Sequence, residues 1–277
     1  MRTVQLPGGE TVPAFGLGTW CLGENAASHA QEVAALQLGI DCGATLIDTA
    51  EMYGDGRCEV MVGEAIRGRR EQVFLVSKVY PHNAGGSALQ RACEASLRRL
   101  GTDRIDLYLL HWRGRVPFAQ TLAGLQALQR AGKIRHFGVS NLDLADMQQW
   151  LAVPGGELLA TNQLLYNLTR RGIEWDLLPW LARHRVPVMA YSPLEQARVL
   201  ADPKLLGFAR AHGFTAAQAA LAWLLRRDDV IVIPRTGSRE RMRENLGALD
   251  VRLDAAQLAE LDRLFPPPKG AQALQML

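Results

Sequence analysis

The chain has few cysteines for its length. Its 277 residues include four, and none forms a C-x-x-C pair or lies in a pattern with paired histidines. These spacings do not match structural zinc sites or the disulfide frameworks of small secreted domains. We therefore predict free thiols, a reducing cytoplasm as the location, and no metal site. The four cysteines are Cys21, Cys42, Cys58 and Cys93.

Long apolar runs and a strong charge of one sign are also missing. The first residues, Met1 to Pro7, contain no apolar stretch of the kind found in secretion signals. Charged residues interrupt every apolar run before it reaches the length of a membrane span. The formal net charge is only +3, and the arginines are scattered along the chain. Neither a membrane nor a nucleic acid is therefore expected as a partner.

The glycine patterns of two common nucleotide-binding folds are incomplete. Gly16-Leu17-Gly18 supplies the first two glycines of G-x-G-x-x-G, but Gly23 is misplaced for the third. Gly132-Lys133 lacks the leading glycine of a P-loop, since Ala127 stands there. Neither a Rossmann cofactor domain nor a P-loop is therefore expected.

The sequence does contain a regular alternation of short apolar runs and longer segments with helical periodicity. Eight apolar runs predict buried parallel strands, and the segments between them predict covering helices. Eight units favour a closed (β/α)8 barrel, the TIM barrel of the α/β class, although an open doubly wound sheet has the same alternation. The predicted strands are Phe15–Gly18, Thr45–Ile47, Val73–Ser77, Ile105–Leu110, Ile134–Val139, Ala160–Gln163, Val186–Ala190 and Val230–Ile233, and the predicted helices are 28–41, 57–69, 86–100, 117–131, 142–152, 173–184, 204–211 with 215–226, and 238–247.

Residues 1–277 are expected to form one domain, since no linker, repeat or low-complexity segment divides them. Two short extended stretches, Thr3–Leu6 and Thr11–Ala14, flank a turn-rich connection and predict an N-terminal β-hairpin within residues 1–15. The Pro-rich segment that begins at Phe265 predicts a short C-terminal tail over residues 265–277.

Three successive predicted strands are followed by side chains that are costly to bury unpaired. Asp48 follows the second strand, and Tyr53 comes five residues later. Lys78 and His111 follow the third and fourth strands. Because active sites of such barrels lie at the carboxyl ends of the strands, we expect the four to meet there. Lys78 is the most informative of them, since only four lysines stand among 31 basic residues.

Together these residue types can add a proton to a carbonyl oxygen, although each alone also fits a structural role. A free phenol has a pKa of about 10 and is a weak acid at neutral pH. An ammonium favours the phenolate, so we expect Lys78 to lower the pKa of Tyr53 and Asp48 to keep Lys78 charged. His111 is expected to donate to the carbonyl oxygen and direct its approach.

The remaining strand ends carry groups suited to a nicotinamide nucleotide. Ser140, Asn141 and Gln163 can hydrogen-bond a carboxamide. Tyr191 can stack on a planar ring. After the eighth strand, Ser238 begins a predicted helix that is rich in arginine, and such helix starts bind phosphate.

In their order along the chain, the motifs below resemble those of the aldo-keto reductase superfamily, and the segment from Tyr166 to Glu174 is similar to that of bacterial members that act on small aldehydes. The motifs are Gly16-Leu17-Gly18-Thr19-Trp20, Asp48-Thr49-Ala50-x-x-Tyr53-Gly54, Ser77-Lys78, Leu110-His111-Trp112, Gly138-Val139-Ser140-Asn141, Asn162-Gln163, Tyr191-Ser192-Pro193-Leu194 and Ile233-Pro234-Arg235-Thr236. The resemblance implies a barrel that binds NADPH/NADP+ across its carboxyl face and reduces aldehydes or ketones to alcohols.

The same resemblance implies a role for each matching residue. Tyr53 would be the general acid, with Lys78 and Asp48 tuning it. His111 would orient the carbonyl of a small substrate, and Trp20 and Trp112 would line its pocket. The cofactor contacts would come from Thr19, Trp20, Ser140, Asn141, Gln163, Tyr191, Ser192, Leu194, Arg235, Thr236, Ser238, Arg241, Glu244 and Asn245.

Two departures from the family pattern bear on specificity. Arg235 stands where members commonly have Lys, which keeps the charge that favours NADPH over NADH but changes its geometry. The C-terminal tail is short, so an open and permissive substrate pocket is expected. The resemblance also favours a monomer.

Two other functions fit some of the same residues. An NADP-binding redox sensor or regulatory subunit would bind the cofactor without significant turnover. An unrelated barrel isomerase or aldolase would use Lys78 as a Schiff-base amine. NADPH-dependent reduction of a carbonyl separates a reductase from both.

Overall fold

A computed structural model describes residues 1–277 and contains ten strands. The strands are β1 (Thr3–Gln5), β2 (Thr11–Pro13), β3 (Gly16–Gly18), β4 (Leu46–Asp48), β5 (Phe74–Val79), β6 (Ile105–Leu110), β7 (Ile134–Ser140), β8 (Asn162–Leu165), β9 (Val188–Tyr191) and β10 (Val230–Val232). Strands β3 to β10 form one sheet in which every pair of neighbours is parallel and follows chain order. All eight predicted barrel strands are present, with ends that differ by a few residues.

The two outer strands of this sheet meet and close it. Parallel bridges join Phe15 to Val232 and Gly18 to Arg235. The amide of Gly18 donates to the carbonyl oxygen of Pro234 at 3.0 Å. The predicted (β/α)8 barrel is therefore confirmed, and the open doubly wound sheet is excluded.

Ten α-helices connect and cover the strands. They are α1 (His29–Asp41), α2 (Arg57–Ala65), α3 (Gly86–Leu100), α4 (Phe118–Arg130), α5 (Leu144–Leu151), α6 (Leu177–Arg183), α7 (Pro203–His212), α8 (Ala216–Leu225), α9 (Arg239–Leu246) and α10 (Ala255–Leu264). Short 3-10 helices occupy Tyr53–Gly56, Arg70–Gln72, Pro81–Asn83, Gly156–Leu158, Gly172–Glu174, Glu195–Ala201 and Gly247–Leu249.

Three helical segments differ from the sequence prediction. The helix predicted over 57–69 ends at Ala65, and Gly68 has a φ of 77°, which a right-handed helix does not accommodate. The helix predicted over 173–184 is a 3-10 turn followed by α6, which Asp176 caps by accepting from the first helical amide. Helix α10 has no predicted counterpart, although Asp254 and Gln257 form a capping box at its start.

The predicted hairpin of β1 and β2 is confirmed and packs at the amino end of the barrel. Val4 and Val12 are paired and buried. Glu10 accepts a hydrogen bond from Arg135 at 2.8 Å and lies 2.6 Å from Nε2 of His136, both at the start of β7. Because the hairpin occupies this end, the opposite face, at the carboxyl ends of the strands, is where a site can form.

One apolar core of 74 buried residues extends from the barrel into the surrounding helices. The longest helix, α3, has 15 residues, and no helix is both long and apolar enough to cross a bilayer. All four cysteines are free thiols, and no group of His, Cys, Asp and Glu side chains is arranged to hold a metal ion. Asp48, Lys78 and His111 are polar or charged, yet they are buried as well.

Candidate active site

Lys78 lies at the centre of a buried polar cluster at the carboxyl end of the barrel. Its side chain is 0% exposed. The Nζ atom donates to Oδ2 of Asp48 at 2.8 Å, to the carbonyl oxygen of Thr49 at 2.9 Å and to the hydroxyl of Tyr53 at 3.0 Å. An ammonium has three N–H groups, so these partners use all of them. Burial lowers the pKa of Lys78, and the Asp48 carboxylate opposes that shift.

Tyr53 reaches this cluster from an irregular turn between β4 and α2. Gly54, Asp55 and Gly56 have φ values of 56°, 53° and 86°, so three consecutive residues are left-handed. Glycine adopts this conformation freely, and aspartate is among the few other residue types that tolerate it. The turn brings the ring of Tyr53 next to Lys78, whose Nζ lies 4.6 Å from the ring centroid.

The hydroxyl of Tyr53 accepts a hydrogen bond from Lys78 and donates to no protein group. Because Tyr53 is only half-buried, its proton is available to a bound molecule. Burial raises the pKa of Tyr53 well above its usual value, and the Asp48 charge adds to this rise. The predicted lowering of the pKa of Tyr53 below its usual value is therefore wrong, because desolvation and the Asp48 charge raise it. Tyr53 consequently holds its proton at neutral pH.

His111 lies beside Tyr53, with the two ring centroids 5.8 Å apart. Burial, together with the Lys78 charge, lowers the pKa of His111 to about 2, so the imidazole is neutral at neutral pH. Its Nδ1 is buried without a hydrogen-bond partner, whereas Nε2 is not fully buried and has no protein partner. A proton on Nε2 leaves only a lone pair in the buried position and makes the accessible nitrogen a donor.

The residues predicted to contact the nicotinamide, three at its carboxamide and Tyr191 at its ring, form a network that joins the cluster at Asp48. The hydroxyl of Tyr191 donates to Oδ1 of Asn141 at 3.0 Å, and Nδ2 of Asn141 donates to Oγ of Ser140 at 3.1 Å. Oγ of Ser140 donates to the carbonyl oxygen of Gln163 at 2.9 Å. Nε2 of Gln163 donates to Oδ1 of Asp48 at 2.7 Å. The structure thus brings all four predicted residues next to the catalytic candidates.

The loop after β9, which carries Ser192 and Leu194, has a strained backbone. Ser192, Glu195 and Gln196 have φ values of 46°, 48° and 54°. Nδ2 of Asn167 donates to the carbonyl oxygen of Ser192 at 2.9 Å and to Oε2 of Glu195 at 2.8 Å. Such strain persists only where surrounding contacts fix it. The loop is therefore held in one conformation directly after Tyr191 and the hydrogen-bond network that it joins.

Arginines around the start of α9 have no carboxylate partner. Arg235 donates to the carbonyl oxygens of Trp20 at 2.9 Å and Cys21 at 3.2 Å. Arg241 is exposed, and Ser238 caps the helix by accepting from its amide at 3.3 Å. Unpaired guanidinium groups at a helix start suit a phosphate. The remaining predicted contacts lie before or along this helix: Thr236, Glu244 and Asn245.

The two tryptophans predicted to line the substrate pocket follow β3 and β6 at the carboxyl face of the barrel. Trp20 is 43% exposed. The ring of Trp112 lies 4.8 Å from that of His111 and 5.8 Å from that of Tyr80. Tyr80 was not predicted to lie here, although its place two residues after Lys78 is the same strand-end signal. Glu51 holds Tyr80 in place by accepting from its amide at 2.7 Å.

Thr19 connects the first barrel strand to this cluster. Its side chain is fully buried, and Oγ1 donates to the carbonyl oxygen of Asp48 at 2.9 Å. Thr19 thus contacts the backbone of the cluster at the end of β4. Its predicted contact with the cofactor stays a prediction.

The short C-terminal tail reaches the carboxyl face of the barrel. Residues 272–275 line a cavity of about 300 Å³ together with residues that follow β7 and β8. Leu274 packs against the apolar core. The tail therefore forms one wall of a cavity on this face, and the expected openness of the substrate pocket stays a prediction.

This geometry is accompanied by a family match over nearly the whole chain. The sequence model of the aldo/keto reductase family matches residues 14–265. The chain belongs to the aldo/keto reductase family. It is therefore an oxidoreductase, and the resemblance seen in the motifs is confirmed.

Individual aldo/keto reductases match the chain from end to end. Methylglyoxal reductase YeaE of Escherichia coli (strain K12) is 52% identical over 281 residues, which cover 100% of this chain and 99% of that protein. A crystal structure of an aldo/keto reductase from Klebsiella pneumoniae in complex with NADP and acetate has a TM-score of 0.97 and 53% identity. A Klebsiella pneumoniae structure in complex with NADPH gives the same values. Each covers 100% of this chain and 99% of its own.

Proposed function

We propose that this aldo/keto reductase reduces small aldehydes and ketones to alcohols with NADPH, and that Tyr53 is the general acid. The observation that carries the proposal is the hydrogen-bond direction at Tyr53. Its hydroxyl accepts from the buried Lys78 ammonium at 3.0 Å and keeps its own proton unshared. A half-buried phenol that is held in this way still has its proton to donate to a bound substrate.

Proton transfer from Tyr53 follows from the charges around it. As a carbonyl oxygen gains negative charge, it becomes a stronger base than phenolate and takes the phenolic proton. The phenolate left behind lies 3.0 Å from the Lys78 ammonium, which stabilises it. Asp48 balances the ammonium at 2.8 Å, so the buried cluster carries no uncompensated charge before the transfer. The raised pKa of Tyr53 keeps the phenol protonated until the carbonyl oxygen becomes the stronger base.

His111 has the position and the protonation state for orienting a carbonyl. Its neutral imidazole offers an N–H donor next to the Tyr53 hydroxyl. Two donors that converge on one oxygen fix its lone pairs and favour the state in which it carries charge. Trp112 stands beside His111 and Tyr80 packs against Trp112, an aromatic surface that suits a small substrate.

The residues present also fit NADPH as the cofactor. Side chains with amide and hydroxyl groups face each other around the position proposed for the carboxamide, and unpaired arginines surround a helix start proposed for the adenosine phosphate. When bound, NADPH supplies the hydride that adds to the carbonyl carbon. The residues proposed to hold it are Trp20, Ser140, Asn141, Gln163, Tyr191, Ser192, Leu194, Arg235, Thr236, Ser238, Arg241, Glu244 and Asn245, with the placement of Thr19 supporting only an indirect contribution.

The environment of Lys78 opposes an aldolase or isomerase mechanism. A Schiff-base lysine must be accessible and must lose its proton before it attacks. Lys78 is 0% exposed, and all three of its N–H groups are engaged. The environment of Lys78 therefore suits a permanently charged ammonium better than an amine that attacks a carbonyl.

A panel of small carbonyls with NADPH tests the proposed reaction. Because the relative with 52% identity is a methylglyoxal reductase, methylglyoxal is the first compound to measure. We expect saturable NADPH oxidation with at least one α-ketoaldehyde or aromatic aldehyde of the panel. Tight NADPH binding without turnover of any member would favour the redox sensor or regulatory subunit instead.

Replacing Arg241 with Ala is expected to weaken NADPH binding and leave NADH binding nearly unchanged. A charge-assisted hydrogen bond contributes about 1.5–3 kcal/mol, which corresponds to about a 10- to 150-fold rise in the Kd for NADPH. Fluorescence titration of both nucleotides measures the two constants. Arg263→Ala, which removes an exposed arginine from α10, is the matched control. Equal losses for NADPH and NADH would contradict the assignment of Arg241 to the phosphate.

His111 is expected to make the protein less stable as the pH falls. Its pKa is about 2 in the folded chain and about 6.5 when unfolded, so the unfolded state takes up the proton first. The stabilisation is present above pH 6.5 and decreases as the pH falls below it, by about 1.6 kcal/mol between pH 6.5 and pH 5. Denaturant unfolding of the wild type and His111→Gln at both pH values measures this difference. An identical loss of stability in both proteins would contradict the burial of a neutral His111.

A further inference from the structure

A second buried ionic cluster lies behind the active site, on the outer side of β5. Glu59, in the first turn of α2, is 0% exposed. Its Oε1 accepts from Oγ of Ser77 at 2.6 Å, and its Oε2 accepts from the guanidinium of Arg99 at 2.6 Å. Arg99 also donates to Oγ of Ser96 at 3.2 Å, so its guanidinium is fixed on α3. We call Glu59, Ser77 and Arg99 the rear cluster.

The rear cluster contacts the residue next to Lys78. Successive side chains of a strand point to opposite faces, so Ser77 faces α2 while Lys78 faces the barrel interior. The hydrogen bond between Ser77 and Glu59 therefore ties α2 to β5 at the position that carries the ammonium. Any shift of α2 along β5 would stretch this 2.6 Å contact.

The rear cluster also supports the turn that carries Tyr53. Gly56, three residues after Tyr53, ends that turn with a φ of 86°. A Cβ atom on Gly56 would lie 2.5 Å from Cδ and 2.6 Å from Nε of Arg99, so the arginine packs directly on the backbone there. Left-handed residues in succession need external contacts to persist. Arg99 provides such a contact, and its bond to Glu59 fixes where it lies.

We propose that the rear cluster is a positioning device, in which Glu59 holds the hydroxyl of Tyr53 at hydrogen-bond distance from the Lys78 ammonium. The inference rests on the proposed role of Tyr53 and deepens it. Tyr53 belongs to the turn before α2, and Lys78 belongs to β5. Glu59 joins these two elements from behind, and none of the three members of the rear cluster belongs to the site itself.

Stability alone is a weak reason for this cluster. A buried ion pair adds little net stability compared with apolar packing of similar volume, because both charges lose their hydration. A role in fixing the position of α2 relative to β5 fits the geometry better, since Ser77 and Arg99 each donate to one oxygen of the Glu59 carboxylate. The charge of Glu59 also raises the pKa of Lys78, and so helps to keep the ammonium protonated.

The test compares Glu59→Gln with the control Glu64→Gln. Both change a glutamate of α2 to its amide, but Glu64 lies near the surface and pairs with His29 at 2.7 Å. We expect Glu59→Gln to lower kcat about 10- to 100-fold, as a small misplacement of reacting groups does. The Kd for NADPH is expected to stay the same. The alkaline limit of the kcat profile is expected to move to lower pH, because Lys78 loses a charge that favours its ammonium. Glu64→Gln is expected to change none of these.

Folded Glu59→Gln protein with an unchanged kcat and pH profile would overturn the inference, as would an equal loss in Glu64→Gln. Ser77→Ala carries the same test if Glu59→Gln does not fold, since it removes only the bond between β5 and α2. A loss of kcat at constant NADPH affinity is again expected, and an unchanged kcat in folded Ser77→Ala would then overturn the inference. Tyr53→Phe, measured in parallel, separates the two proposals. If it retains turnover the proposed acid is wrong, whereas if it is inactive and the rear-cluster variants are normal, only the positioning role fails.

Discussion

Tyr53→Phe is expected to lower kcat for carbonyl reduction by about 10²–10⁴-fold, the usual contribution of a positioned general acid. The change removes one oxygen and leaves the ring in place. Lys78 then loses one of its three acceptors but keeps Asp48 and the carbonyl oxygen of Thr49. The ion pair therefore persists, and the loss reports the missing proton donor. Steady-state NADPH oxidation at saturating carbonyl measures it.

Measurements of NADPH binding show whether the loss of kcat arises in the chemical step. The proposed cofactor contacts do not include the Tyr53 hydroxyl, so the Kd for NADPH in Tyr53→Phe is expected to stay within about threefold of the wild type, or about 0.65 kcal/mol. A variant that binds NADPH normally and reduces carbonyls at the wild-type rate would remove Tyr53 from the mechanism. A variant that loses NADPH binding as well would indicate a structural role for the hydroxyl.

Lys78→Met is expected to lower both stability and activity. Removal of one partner from a buried ion pair typically costs about 3–5 kcal/mol, because the remaining charge is left without its counter-ion. In this chain the remaining charge is Asp48, which is 2% exposed and would keep only Gln163 as a side-chain donor. The phenolate of Tyr53 would also lose its stabilising ammonium, so kcat is expected to fall at least about 100-fold.

The double variant Lys78→Met with Asp48→Asn separates these two effects. Neutralising Asp48 removes the unpaired charge, so the free energy of unfolding is expected to recover most of the loss. Activity is not expected to recover, because no ammonium faces Tyr53. Denaturant unfolding and kcat are measured on the same preparations. Recovery of turnover in the double variant would show that Lys78 acts only through stability.

The catalytic candidates were predictable because a barrel places the ends of its strands on one face. Asp48, Lys78 and His111 each follow an apolar run whose length and composition indicate a strand. The fold then determines that they meet, whatever the loops do. Closure was not readable from periodicity, since it depends on a contact between the first and the last strand, such as that between Gly18 and Arg235.

Features that depend on burial or on distant contacts were not predictable in this way. The pKa of Tyr53 is raised rather than lowered because of desolvation, which a sequence does not reveal. Glu59 reads as an ordinary first-turn glutamate, yet it is completely buried and paired with Arg99, 40 residues away. Helix α10 carried a readable signal in its capping residues, Asp254 and Gln257.

The most direct test of NADPH-dependent carbonyl reduction is the fate of the hydride. The protein is incubated with methylglyoxal, or with the best substrate of the panel, and NADPH that carries deuterium at the transferred position. One deuterium is expected on the carbon of the new alcohol, and the alcohol is expected in equal amount to the NADPH consumed, as measured by mass spectrometry. An alcohol without deuterium, or no alcohol from any carbonyl despite tight NADPH binding, would contradict the proposed reduction.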